Sequence, residues 1–143
     1  MSTLELVKNK LADGEPIDAV QYVRLEHFSE KRRDQIAADH GTEVCRRFLD
    51  ENPNIILKEE PYLDYDFSTL DFQARKNLMK MQNRLVEGDV KLMLVDDMQE
   101  LLSSYADAIM LGYLFDNFNG VVLDLKHMEF HVLTEDMDFY TTF

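Results

Sequence analysis

VKLMLVDDMQELLSSYADAIMLGYLFDNF, residues 90–118, is the longest run in the chain that reads as one element, and the fold turns on how it is read. Leu94, Met98, Leu101, Leu102, Tyr105, Ile109 and Tyr113 recur at the spacing of one helical face. Asp89 opens the run and Asn119-Gly120 closes it, and both are residue types that bound helices. Ala106, Ala108 and Gly112 are small enough to let a neighbour pack closely. The pattern predicts a central helix, with Ser103-Ser104 as the place where it would break. Its stripe of Leu and Met reads as core, not as a cofactor box.

Outward from that helix, the N-terminal side also reads as helical. Ser68 with Asp71 three residues later makes a capping-box start for a helix carrying Leu70, Phe72, Leu78, Met81 and Leu85, and Gly88 ends it. LELVKNKL has apolar residues at Leu4, Val7 and Leu11 and stops at Asp13-Gly14. Pro16 suits a first helical turn, and Ile17, Val20 and Val23 follow at intervals of three. Ser29 would cap EKRRDQIAADHG, and Thr42 would cap EVCRRFLDEN ahead of Pro53.

Strand signals are fewer. Ile55, Ile56 and Leu57 are β-prone, and Pro61 then leads into an acidic, aromatic loop at Tyr62, Asp64, Tyr65 and Phe67. Beyond Gly120 the period changes to two: Val121, Leu123 and Leu125 alternate, then Met128, Phe130 and Val132. The phase slips at Lys126-His127, which fits a hairpin, although Lys-His is poor two-residue turn chemistry and leaves a bulged strand open. The expected fold is α+β: one globular domain over residues 1–143, mainly α-helical through residue 120. A small C-terminal β-hairpin or short sheet and an acidic, aromatic tail would fill residues 121–143.

Charge is the strongest compositional signal. The 143 residues carry a formal net charge of −13 at pH 7. Residues 1–47 hold 8 basic and 9 acidic side chains, whereas residues 92–143 hold 10 acidic ones against Lys126 alone. Such a chain repels phosphate, which argues against direct binding of nucleic acid or an anionic membrane. It also argues against a helix-turn-helix reading of the two segments around DHGT, basic though EKRR is. Cys45 is the one cysteine, so no internal disulfide or Cys-rich zinc site forms, and a packed structural thiol is expected. The start MSTLELVKNKL lacks a leader pattern, and no apolar run approaches the ~20 residues of a membrane span. A cytoplasmic protein is expected.

Three chemistries bear on these residues. HMEFH sets His127, Glu129 and His131 at alternate positions, one face of a strand, where two imidazoles and a carboxylate would meet a metal. The same three would equally form the solvent side of an edge strand. Mg-dependent nucleotide pyrophosphohydrolases carry paired carboxylates one turn apart on facing helices, and Asp97 with Glu100, joined by Asp96, resembles half of that motif. The second half is missing, since Asp107 stands alone among apolar residues and the residue three after Asp116 is Asn119. Neither a glycine-rich phosphate loop nor a nucleophile elbow occurs around Ser103-Ser104, and no cofactor is implied.

What remains is contact. The chain closes on TEDMDFYTTF, residues 134–143, which reads as a last strand, a frayed end or a peptide held out for a partner. In the last case Asp136 and Asp138 would steer, while Phe139, Tyr140 and Phe143 would anchor, with Tyr62, Asp64 and Tyr65 as a second patch. The expectation is a non-enzymatic acidic protein that regulates or inhibits a protein with a basic, nucleic-acid-binding surface. By composition it is like the DNA-mimicking phage and mobile-element products that block host polymerases or defence nucleases. The alternatives are a structural or chaperone-like subunit of a larger assembly, a homo-oligomer included, and a metal-dependent all-helical pyrophosphohydrolase.

Overall fold

A computed structural model describes residues 2–25, 42–59, 61–65, 80, 84, 90–98, 120–132 and 140–142. Over these the expected mainly helical fold is corrected. The described residues form a seven-stranded mixed sheet with two short helices, α1 (Thr3–Asp13) and α2 (Glu43–Glu51). The strands are β1 (Ile17–Leu25), β2 (Ile55–Leu57), β3 (Tyr62–Tyr65), β4 (Leu92–Val95), β5 (Val121–Asp124), β6 (Glu129–Val132) and β7 (Tyr140–Thr142).

Two of the expected helices fail at the centre of the sheet. Ile17, Val20 and Val23 belong to the nine-residue strand β1, and the presumed central helix begins instead as strand β4. The reason is burial on both faces. All four residues of β4 are buried, and in β1 so are Ile17 and every residue from Ala19 to Val23. A strand covered on both sides needs apolar residues at every position, and its unbroken run imitates any period laid over it. The rest of that presumed helix, residues 99–119, lies outside the described residues, as do Ser29 with the segment it would cap and most of the helix opened at Ser68.

Sheet order is β2-β1-β4-β5-β6-β7, with β3 pairing β1 beyond β2 on the same edge. The β1, β2, β3, β4 and β5 pairings are parallel, and β6 and β7 add antiparallel strands. Register fixes the geometry: Ala19 lies between Leu57 and Leu92, Tyr22 lies between Tyr62 and Val95, and Val95 in turn meets Asp124. The segment Tyr62–Tyr65, expected as a loop, is therefore an edge strand, and Pro61 precedes it where its missing N–H costs no ladder bond.

Local signals were obeyed where they were local. In α1 the Ser2 hydroxyl accepts from Glu5 N–H and the Glu5 carboxylate accepts from Ser2 N–H, a complete capping box. Gly14 ends the helix at φ 68°, a left-handed conformation that a Cβ would strain. Thr42 caps α2 by accepting from Cys45 N–H. The β5–β6 hairpin is present, but its turn spans four residues, Leu125 to Met128, with Met128 at φ 52°. That length resolves the phase slip at Lys126-His127.

Both helices cover one face of the sheet. Leu4 and Val7 of α1 and Cys45 and Phe48 of α2 pack on Ile17, Ala19, Leu92, Leu94, Leu123 and Phe130. Lys8 reaches over the Phe130 ring, 6.0 Å from its centroid. On the opposite face Val20, Tyr22, Met93, Val95 and Val122 are equally buried. No helix among the described residues is long and apolar enough to cross a membrane.

Candidate functional site at the carboxyl edge of the parallel strands

From β1 the chain passes through α2 to β2 on one side, while β4 lies on the other side of β1. Connections that diverge from one strand leave a crevice outside the carboxyl ends, the usual ligand position in open α/β sheets. Here that edge is polar. It gathers the N-cap of α2, the residues that follow β4 and the end of β5, in two clusters that lie toward opposite faces of the sheet.

The first cluster centres on Thr42. Its hydroxyl donates to Asp96 Oδ1 at 2.7 Å, accepts from Cys45 N–H at 3.2 Å and takes Gln21 Nε2 at 3.4 Å. One side chain thus joins β1, α2 and the exit of β4. Gln21 is 0% exposed, and its Oε1 has no hydrogen-bond partner among the described residues. Cys45 lies within the same region as the expected packed thiol. Burial, aided by the Asp96 charge, pushes it up to about 12, so it is protonated and inert.

The second cluster centres on Asp124, whose position in register with Val95 turns it to the other face. Its side chain is 1% exposed. Oδ1 accepts from His127 N–H at 3.1 Å; Oδ2 accepts from Met98 N–H at 3.1 Å and lies 2.9 Å from His127 Nδ1. Burial works to raise this carboxyl, but the His127 ring and the two N–H donors outweigh it and hold it below the usual carboxylate range. His127 moves the opposite way, raised by its bond to Asp124 and by that carboxylate's charge. His131 is lowered because burial disfavours its charged form, despite Asp124 and Glu129 nearby.

Strand pairing carries this cluster toward β4. Leu125 N–H reaches Val95 O and Lys126 N–H reaches Asp96 O, both at 2.9 Å, past the end of the β5 strand. Lys126 Nζ then stands 3.3 Å from Asp97 Oδ2.

The sequence candidates fall out differently. His127 sits in the turn, not on the strand, and pairs with Asp124; His131 Nε2 and Glu129 Oε2 lie 3.8 Å apart on β6. The expected trio of His127, Glu129 and His131 is thus not brought together. Asp97, Asp124 and His127 do converge, with ligand atoms within 4.8 Å of one another. Each carboxylate there already has a protein donor, so the group is a closed ion-pair network. Asp96 and Asp97 follow strand β4, and Glu100, the expected partner of Asp97, lies outside the described residues.

Of the acidic, aromatic tail, Tyr140 belongs to β7, paired with His131 of β6, so that part is a last strand. Asp136, Asp138, Phe139 and Phe143 lie outside the described residues. Asp64 and Tyr65 are in β3. Tyr62 donates to Glu59, which also pairs with Arg84, so it is engaged within its own chain. Sequence reading missed Gln21 and Asp124. Asp124 carried a usable signal: an Asp closing an alternating run, with a His three residues on. A scan against protein-family models finds no match, and a search of curated proteins finds none either.

Proposed function

We propose that the protein acts by binding, as an acidic domain that regulates or inhibits a partner protein through the partner's basic, nucleic-acid-binding surface. The observation that carries this reading is the placement of charge. Residues 92–143 hold 10 acidic side chains against Lys126 alone, and three of the ten, Asp96 and Asp97 after β4 and Asp124 ending β5, fall at the carboxyl ends of two adjacent parallel strands. That edge flanks the divergence of the chain about β1, where doubly wound sheets bind. Complementary charge speeds encounter and selects partners.

The test is capture by the tagged protein from nuclease-treated lysate, washed at low and then high salt. The expected result is one basic nucleic-acid-binding protein, released by salt and competed off by its own nucleic acid. Asp97→Asn should weaken that capture, and so should replacing Asp136, Asp138, Phe139 and Phe143 by Ala. Capture that is insensitive to salt and to both sets of changes would overturn the reading.

A further inference from the structure

We propose that Asp124 and His127 form a proton-sensitive latch that ties the β5–β6 turn to the segment leaving β4 at Met98. Its regulatory consequence rests on the binding reading above, because the latch lies on the same edge; its operation does not.

The geometry is that of a shared oxygen. Asp124 Oδ2 serves both Met98 N–H and His127 Nδ1, while Oδ1 holds His127 N–H. Met98 is 7% exposed and the Asp124 side chain 1%, but the His127 side chain is 50% exposed and meets solvent protons directly. A buried carboxylate is tolerable while it is paired and costly once its charged partner is gone. The protonated ring supplies a charge-assisted bond; the neutral ring supplies at most an ordinary one.

The charged groups facing the latch favour the protonated ring. Asp124 of β5, Asp97 beyond β4 and Glu129 of β6 all act in that direction, while Lys126 of the turn carries the opposing charge and His131 of β6, lowered by burial, is neutral where His127 titrates. Lys126 is itself drawn to Asp97. When His127 loses its proton, Asp124 loses its charged partner and keeps two backbone donors and at most an ordinary bond from the ring, and the turn opens toward water to solvate the carboxylate. Met98 N–H shares the affected oxygen, so the exit of β4 loosens with the turn. Proton loss at one exposed ring thereby changes the order of the edge on which Asp96 and Asp97 stand.

Amide hydrogen exchange followed by NMR tests this on the full chain, across about pH 5 to 9, the range in which a histidine changes charge. After correction for base catalysis, protection of Met98 and His127 N–H should fall several-fold as pH passes the His127 titration point, seen in the same spectra. Val20 and Tyr22, in the sheet interior, should hold theirs. His127→Gln keeps a polar side chain at a half-exposed site and should make Met98 protection independent of pH. Unchanging Met98 protection in the native protein would overturn the latch, as would an equal fall in the His127→Gln variant. Neither result depends on a partner, so failure of the latch and failure of the binding reading are separate outcomes.

Discussion

Thr42 and Asp96, joined by a 2.7 Å hydrogen bond from hydroxyl to carboxylate, connect the N-cap of α2 to the residue that follows β4. They are 54 positions apart, and because Thr42 also holds Gln21 and Cys45, the bond fastens helix to sheet at the switch point. Thr42→Ala removes a cap, ordinarily about 1 kcal/mol, and also strips a partner from two groups at a buried position, so a loss of about 2–4 kcal/mol is expected. Thr42→Ser should recover most of it. Urea unfolding checks this through the midpoint at constant slope; a loss for Thr42→Ala below about 1 kcal/mol, the price of a cap alone, would show that the network adds nothing.

Gln21 makes the opposite case. Its Nε2 bond to Thr42 is long at 3.4 Å, and its Oε1 is buried without a partner among the described residues. An unsatisfied buried acceptor costs roughly 1–3 kcal/mol, which offsets one weak bond. Gln21→Met, close in volume and apolar, should therefore leave stability unchanged or raise it. Thermal unfolding that shows a clear loss would mean that the amide contributes more than its geometry indicates.

Cys45 should behave as a burial probe. With the thiol enclosed and its acidity suppressed, iodoacetamide at about pH 8 should leave it unmodified while the fold persists, and should react at once in denaturant. Its labelling rate in native buffer then reports opening of the α2–sheet contact. Fast native labelling would contradict the packing of α2 on Ala19 and Leu94.

The boundary between what could and could not be read from the residues follows the range of the forces involved. The capping box of α1, the left-handed Gly14, the Thr42 cap and the alternation in β5 and β6 are each settled within a few residues, and each appears where the local chemistry put it. Strands β1 and β4 carry a helical period in the sequence because their burial on both faces, which comes from partners far along the chain, makes the apolar run unbroken. The candidate edge shares that difficulty. Thr42, Asp96 and Asp124 are ordinary polar residues in the sequence, and parallel pairing of β1, β4 and β5 is what brings them to one edge.

The two described histidines of β6 and its turn should bend the pH profile of stability in opposite directions. Asp124 is lowered in the folded state, so its contribution is present above the unfolded value of about 3.9 and is lost as pH falls through the lowered folded value. His127 is raised, so its contribution is complete below about 6.5 and is lost as pH climbs through the raised folded value. The pair therefore stabilises most between about pH 4 and 6.5. His131 is lowered by burial, so the unfolded chain binds a proton that the folded chain does not, and stability is lost as pH falls from about 6.5 toward its folded value. Asp124→Asn should flatten the acid limb and remove the decline above neutrality, whereas His131→Gln should raise stability near pH 5 and leave the alkaline side alone. Thermal midpoints measured against pH for the native chain and both variants decide the matter. If Asp124→Asn shifts the whole profile down without changing its shape, the Asp124–His127 pair is a structural contact whose charge has no effect on stability.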